Sequence, residues 1–118
     1  MRVLVCGDRN WIDRLAIRRV LAVLEPETLI EGDCRGADKL AVEEAPASVE
    51  TIITIPADWS KLGKAAGPIR NRKMLIAGRP DVVVVFHNSL KESRGSANMI
   101  QQAHGAGVPV LLYLGPSR

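Results

Sequence analysis

Apolar residues in this chain come as short unbroken runs, separated by longer stretches in which they recur every three or four positions. The runs are "RVLVC" (2–6), "TLIEG" (28–32), "VETIITI" (49–55), "DVVVVF" (81–86) and "PVLLYL" (109–114). Rich in Val, Ile and Leu, they predict strands covered on both faces. Between them lie "WIDRLAIRRVLAVLE" (11–25), "GADKLAVEEA" (36–45), "PIRNRKMLIAG" (68–78) and "SANMIQQAHGAG" (96–107), which read as helices. In the first of these, Ile12, Leu15, Ala16, Arg19, Val20 and Val23 follow the spacing of one helical face, with Arg19 its single polar interruption.

Strands that alternate with helices imply a parallel sheet, because each parallel crossover needs a helix-sized connection and is nearly always right-handed. The predicted architecture is therefore α/β: a Rossmann-like three-layer fold with a mainly parallel five-stranded sheet, formed as one domain over 1–118. In "AGVPV" (106–110) glycine closes the last helix, and Pro109 occupies a permitted place at the start of the last strand. Folds of this kind bind ligands outside the carboxyl ends of the strands, near the point where strand order reverses. With the first strand central, the loops that matter are "GDRNW" (7–11), "EGDCRGAD" (31–38), the segment from Trp59 to Lys73, and "HNSLKESRGS" (87–96).

Composition narrows the picture. With 118 residues, 47% hydrophobic and 25% charged, the chain can bury one core and is neither disordered nor collagen-like. The apolar stretch before Gly7 is too short for a signal peptide or a membrane span, so a cytoplasmic location away from membranes is expected. Cys6 and Cys34 have no CxxC or Cys/His spacing, so they read as reduced thiols, and neither a metal site nor a cofactor is predicted. A net charge of +3 and a pI of about 9.2 favour an anionic partner. The only aromatic residues are Trp11, Trp59, Phe86 and Tyr113, too few for a broad base-stacking platform. A small anionic ligand is thus preferred, with nucleic acid the weaker candidate.

Each loop offers chemistry beside a plainer alternative. Gly7 permits a tight turn that presents Asp8, Arg9 and Asn10, either to a ribose or phosphate or as helix caps. Gly32 and Gly36 permit close backbone approach ahead of a helix N-terminus, as a phosphate cradle does. The loop nevertheless lacks the Gly-Lys-Ser/Thr ending of a P-loop and is not GxGxxG. Asp38 can bond a ribose or cap the first turn. Pro68 suits a first helical turn, placing Arg70, Asn71, Arg72 and Lys73 near a helix N-terminus, where the helix dipole disfavours cations unless an anion compensates. A phosphate gripped by Arg70 or Arg72 and oriented by Asn71 meets that need; the alternative is a solvated face with an acidic neighbour. In the last loop Ser93 or Ser96 can cap, and Gly95 and Ser96 can donate to phosphate. His87 is an acid–base candidate or a structural strand-end histidine, and His104 favours the dipole at its helix terminus.

In combination, "GDRNW", "EGDCRGADKLA", "PADW" with "GKAAGPIRNRKM", "DVVVVF" and "RGSANM" resemble the SLOG superfamily over almost the whole chain. That superfamily groups nucleotide-binding Rossmann-like domains with the Lonely-Guy phosphoribohydrolases and the DNA-processing protein DprA; the short YspA-type domains are the nearest. The resemblance implies recognition of a nucleotide or nucleotide-derived ligand, commonly in a homo-oligomer. It nominates Gly7, Arg9, Gly32, Gly36, Asp38, Arg70, Asn71, Gly95 and Ser96 for binding, joined by Asp8 from its loop, with Asp58, Trp59 and His87 as pocket wall. Lonely-Guy enzymes carry PGGxGTxxE with a catalytic final glutamate. Here Gly95 and Ser96 stand at the GT positions and Met99 at that glutamate, so no catalytic residue is assigned. Binding or sensing of the ligand is the leading expectation. The alternatives are nucleotide N-glycoside hydrolysis using Asp8, Asp38 or Glu92, and DprA-like binding of single-stranded DNA.

Overall fold

A computed structural model of the chain describes residues 1–89 and 94–115. Strands β1 (Arg2–Gly7), β2 (Thr28–Glu31), β3 (Thr51–Thr54), β4 (Val82–His87) and β5 (Val110–Leu114) alternate with helices α1 (Arg14–Leu24), α2 (Ala37–Glu43), α3 (Trp59–Leu62), α4 (Ala66–Gly78) and α5 (Arg94–Gly105). A 3-10 turn, Gly63–Ala65, runs from α3 into α4. All strand pairs are parallel, in the order β3-β2-β1-β4-β5. Strand order therefore reverses between β1 and β4, whose carboxyl ends Gly7 and Phe86 lie in register.

The apolar runs explain the centre of this sheet. β4 is buried along its whole length, as are Val3 to Cys6 of β1, so these strands have helices on both sides. On one face Trp11, Ile17, Leu21 and Ala41 of the α1–α2 layer pack on Val3, Val5, Leu29 and Phe86. On the other, Met74 of α4 and Met99 and Ala103 of α5 pack on Leu4, Ile30, Val83 and Val85. Full burial of a side chain of this kind stabilises the fold by about 1.5–3 kcal/mol, so the two clusters set the order of the layers.

Two expectations change. The stripe Ile12, Leu15, Ala16, Arg19, Val20 and Val23 is not the core face of α1: Ile12, Leu15 and Val23 are exposed, and the buried residues are Ala16, Ile17 and Leu21. The helix is apolar on two overlapping sides, and its neighbours choose between them. Burial of Ile17 and Leu21 against the sheet sets the rotation of α1, and Arg14 and Arg18 then meet Glu43 of α2 and its C-cap residue Glu44 at 2.8 and 2.9 Å. Nor are the outer strands covered on both faces. β3 is largely exposed, and so is β5, because the helices pack chiefly over the central strands β1, β2 and β4.

Candidate functional site

The loop after β1 is held by its own backbone. Asp8 N–H donates to Phe86 O at 2.8 Å, and Asp8 O accepts from Trp11 N and from Ala37 N, each at 3.1 Å. This last contact brings the β1 loop against the start of α2, and it requires Gly36. At φ +80° Gly36 is in a region that side chains rarely adopt, and a Cβ there would run into the Asp8 carbonyl oxygen. The Asp8 carboxylate accepts from Asn10 N at 2.8 Å and from Asn88 Nδ2 at 3.2 Å, and its Oδ2 lies 3.8 Å from His87 Nε2. His87 Nδ1 accepts from Ser89 N at 2.9 Å, so the proton of the neutral ring sits on Nε2, facing Asp8.

Past β2, Asp38 folds back instead of capping α2: its Oδ2 accepts from Gly32 N at 2.8 Å. Burial pushes the Asp38 carboxyl up to about 7; the hydrogen bond from Gly32 and the Arg70 charge oppose that rise, while Glu31 adds to it. The same environment lifts the Cys6 thiol well above its ordinary value, chiefly by burial and next by Asp38, so this sulfur is protonated and unreactive. One oxygen of Glu31, Oε2, is buried without a hydrogen-bond partner, while Oε1 accepts from Asp33 N at 2.8 Å.

The run Arg70-Asn71-Arg72-Lys73 is divided by the helical period of about 100° per residue. Arg70, Asn71 and Met74 turn inward and are buried, while Arg72 and Lys73 are exposed. Arg70 Nη1 donates to Gly32 O at 2.9 Å and its Nε to Asn71 Oδ1 at 3.0 Å. Asn71 Nδ2 in turn donates to Gly95 O at 3.2 Å and Asn98 Oδ1 at 3.1 Å, tying α4 to the first turn of α5. A Cβ at Gly32 would occupy the place of the Arg70 guanidinium. The four residues do not stand at an open helix N-terminus. The 3-10 turn leads straight into α4, with Ala66 N–H bonded to Gly63 O, and Arg70 falls beyond the first helical turn.

These parts surround one crevice of about 430 Å3 at the carboxyl ends of β1 and β4, within the size range of small-molecule sites, roughly 300–1,000 Å3. Gly7, Asp8 and Arg9 line it from the β1 loop, Asp38, Arg70 and Asn71 from the floor, and His87, Gly95 and Ser96 from the β4–α5 side. Trp59 walls the mouth, half exposed, with its ring against Gly67. Asp58 does not line the crevice; its Oδ1 accepts from Lys61 N at 3.1 Å and caps the turn that carries Trp59. Gly32 and Gly36 lie behind the lining and shape it through Arg70, Asp38 and the β1 loop.

Asn10, Cys34, Gly67 and Arg94 also line the crevice. For Arg94 the available signal was its position directly before Gly95 and Ser96. Met99 lies fully buried between α5 and the sheet. Glu92 and Ser93 lie outside the described residues. Among the described residues there is no group of three or more His, Cys, Asp or Glu able to hold a metal ion, and no helix long and apolar enough to cross a membrane.

Comparison with known proteins gives the chain a family. Residues 1–62, from β1 through α3, match the profile of the YspA, cpYpsA-related SLOG family. Over 122 aligned residues the chain is 35% identical to the Gene 61 protein of Mycobacterium phage D29, and the alignment covers 95% of each. No solved structure matches. With a parallel α/β sheet, a crevice at its switch point and a profile that spans more than half of its length, the chain belongs to the YspA, cpYpsA-related SLOG family.

Proposed function

We propose that the crevice binds a nucleotide or nucleotide-derived ligand, and that the protein acts as a binding or sensing module for it. The observation that carries this reading is the convergence of Arg9, Arg94 and the backbone at Gly95 and Ser96 on one hollow beside an exposed tryptophan. The two arginines and the first turn of α5 suit phosphoryl oxygens. Trp59 offers a face for a base, and the Asp8 side chain offers an acceptor for ribose hydroxyls. Arg70 and Asn71 serve chiefly as framework, because their hydrogen bonds are already committed to Gly32, Gly95 and Asn98.

Titration of adenosine monophosphate, ADP-ribose and cyclic nucleotides, followed by calorimetry and by Trp59 fluorescence, tests the proposal. Saturable binding is expected, weakened about 10- to 100-fold by Arg94→Ala, in keeping with about 1.5–3 kcal/mol for a hydrogen bond to a charged group. Absence of saturation across the panel overturns it.

Asp38 favours a second reading, hydrolysis of a nucleotide N-glycosidic bond. A crevice carboxyl pushed up to about 7 is half protonated near neutrality and can hand its proton to a departing base, while water adds to the anomeric carbon and returns a proton to the Asp38 carboxylate. A Lonely-Guy-type glutamate has no counterpart at Met99, so Asp38 would carry that step alone. Release of free base, lost in Asp38→Asn while binding persists, separates this reading from simple binding.

A further inference from the structure

Beside the crevice lies a second hollow of about 350 Å3, between the start of α1 and the length of α2. Arg9 lines both, and the rest of the lining belongs to this groove alone. Part of that lining is apolar: Trp11 is buried and Leu40 half-buried, whereas Ile12 is 75% exposed.

With these residues stand four cations, Arg9, Arg14, Arg35 and Lys39, against one carboxylate. That carboxylate, Glu43, is already held by Arg14 at 2.8 Å. Lys39 Nζ lies 3.7 Å from Asp33 Oδ1, a solvated pair of little strength. Among the described residues the guanidinium groups of Arg9 and Arg35 have no hydrogen-bond or ion-pair partner. The fold nevertheless holds these two close, because Gly36 packs on the backbone of Arg9 and Arg35 immediately precedes it.

The charge calls for an anion, and the apolar lining selects its kind. An inorganic phosphate would meet the arginines and leave Ile12 and Leu40 in water. A nucleic-acid strand would find no aromatic face to stack on, since Trp11 is buried. A polypeptide with a hydrophobic side chain among carboxylates meets both demands, burying apolar surface on Ile12 and Leu40 while its carboxylates pair with guanidinium forks.

We propose that the α1–α2 groove docks an acidic segment of a partner protein, in which a leucine-like side chain is flanked by Asp or Glu. Such docking does not require a nucleotide in the crevice, so it stands or falls separately from the function proposed above.

A fluorescein-labelled peptide with a leucine between two Asp-Glu pairs, titrated with the whole chain and followed by anisotropy, tests this. Saturation is expected at roughly 10–100 μM, as for a small and largely electrostatic contact, and it should weaken as salt rises. Arg35→Glu should weaken binding about tenfold or more, and Ile12→Ser, or serine in place of the peptide's leucine, roughly three- to tenfold. No saturation up to about 1 mM peptide overturns the proposal; so does binding that Arg35→Glu leaves unmoved, or equal binding of the serine peptide. An oligothymidylate or tripolyphosphate that binds through Arg35 more tightly than the peptide does also overturns it, by making the groove a phosphate surface. Should the variants not fold, methyl NMR of the wild type decides: peptide-induced shifts must appear at Ile12 and Leu40, and their absence sinks the assignment.

Discussion

Asp38 behaves as its surroundings dictate. An aspartate of the unfolded chain titrates near 4, whereas in the folded protein burial raises this carboxyl to about 7. Between about pH 4 and 7 the native state holds a proton that the unfolded state has released, so this group's contribution to stability is complete below pH 4 and is lost as pH rises toward 7. Replacing Asp38 by Asn keeps an acceptor for Gly32 N–H and removes the titration. Urea unfolding across that range should show wild type losing up to a few kcal/mol relative to Asp38→Asn, at about 1.4 kcal/mol per pH unit. Position likewise separates two arginines of one crevice. Arg70 is buried and bonded to Gly32 O and Asn71, whereas Arg94 is exposed. Arg70→Ala should lower unfolding stability by about 2–5 kcal/mol through lost charged hydrogen bonds and an opened core, whereas Arg94→Ala should leave stability within about 0.5 kcal/mol.

At the scale of elements, hydrophobic period identifies a helix more surely than it identifies the helix's buried side. α1 presents two apolar stripes, and packing against the sheet selects the one carrying Ala16, Ile17 and Leu21. Leu21→Ala is therefore expected to cost about 2–5 kcal/mol, and Val23→Ser no more than about 0.5 kcal/mol, as measured by denaturant unfolding. α4 gives the companion lesson. Four polar residues side by side look like one cluster in sequence, but successive side chains point about 100° apart, so Arg70 and Asn71 enter the molecule while Arg72 and Lys73 leave it. The strands were more legible because parallel central strands need no choice of face; the unalternating Val runs of β1 and β4 declared them directly.

In the whole molecule, the crevice draws its walls from loops separated by most of the chain, so a ligand seated there binds only the assembled fold. At one hundred times its dissociation constant such a ligand should raise global stability by about 2.7 kcal/mol, visible as a single shifted transition in a thermal scan. A change confined to one loop, without that shift, would mean that the ligand does not engage the assembled crevice. The linear order of residues was enough to determine the alternation of strands and helices, the parallel sheet and the loops at its carboxyl ends, because period and crossover handedness are local rules. The rotation of α1, the burial of Arg70 and Asn71, the raised titration of Asp38 and the exposure of β5 were decided only by tertiary packing, since each depends on which distant surface lies alongside and how much water it displaces.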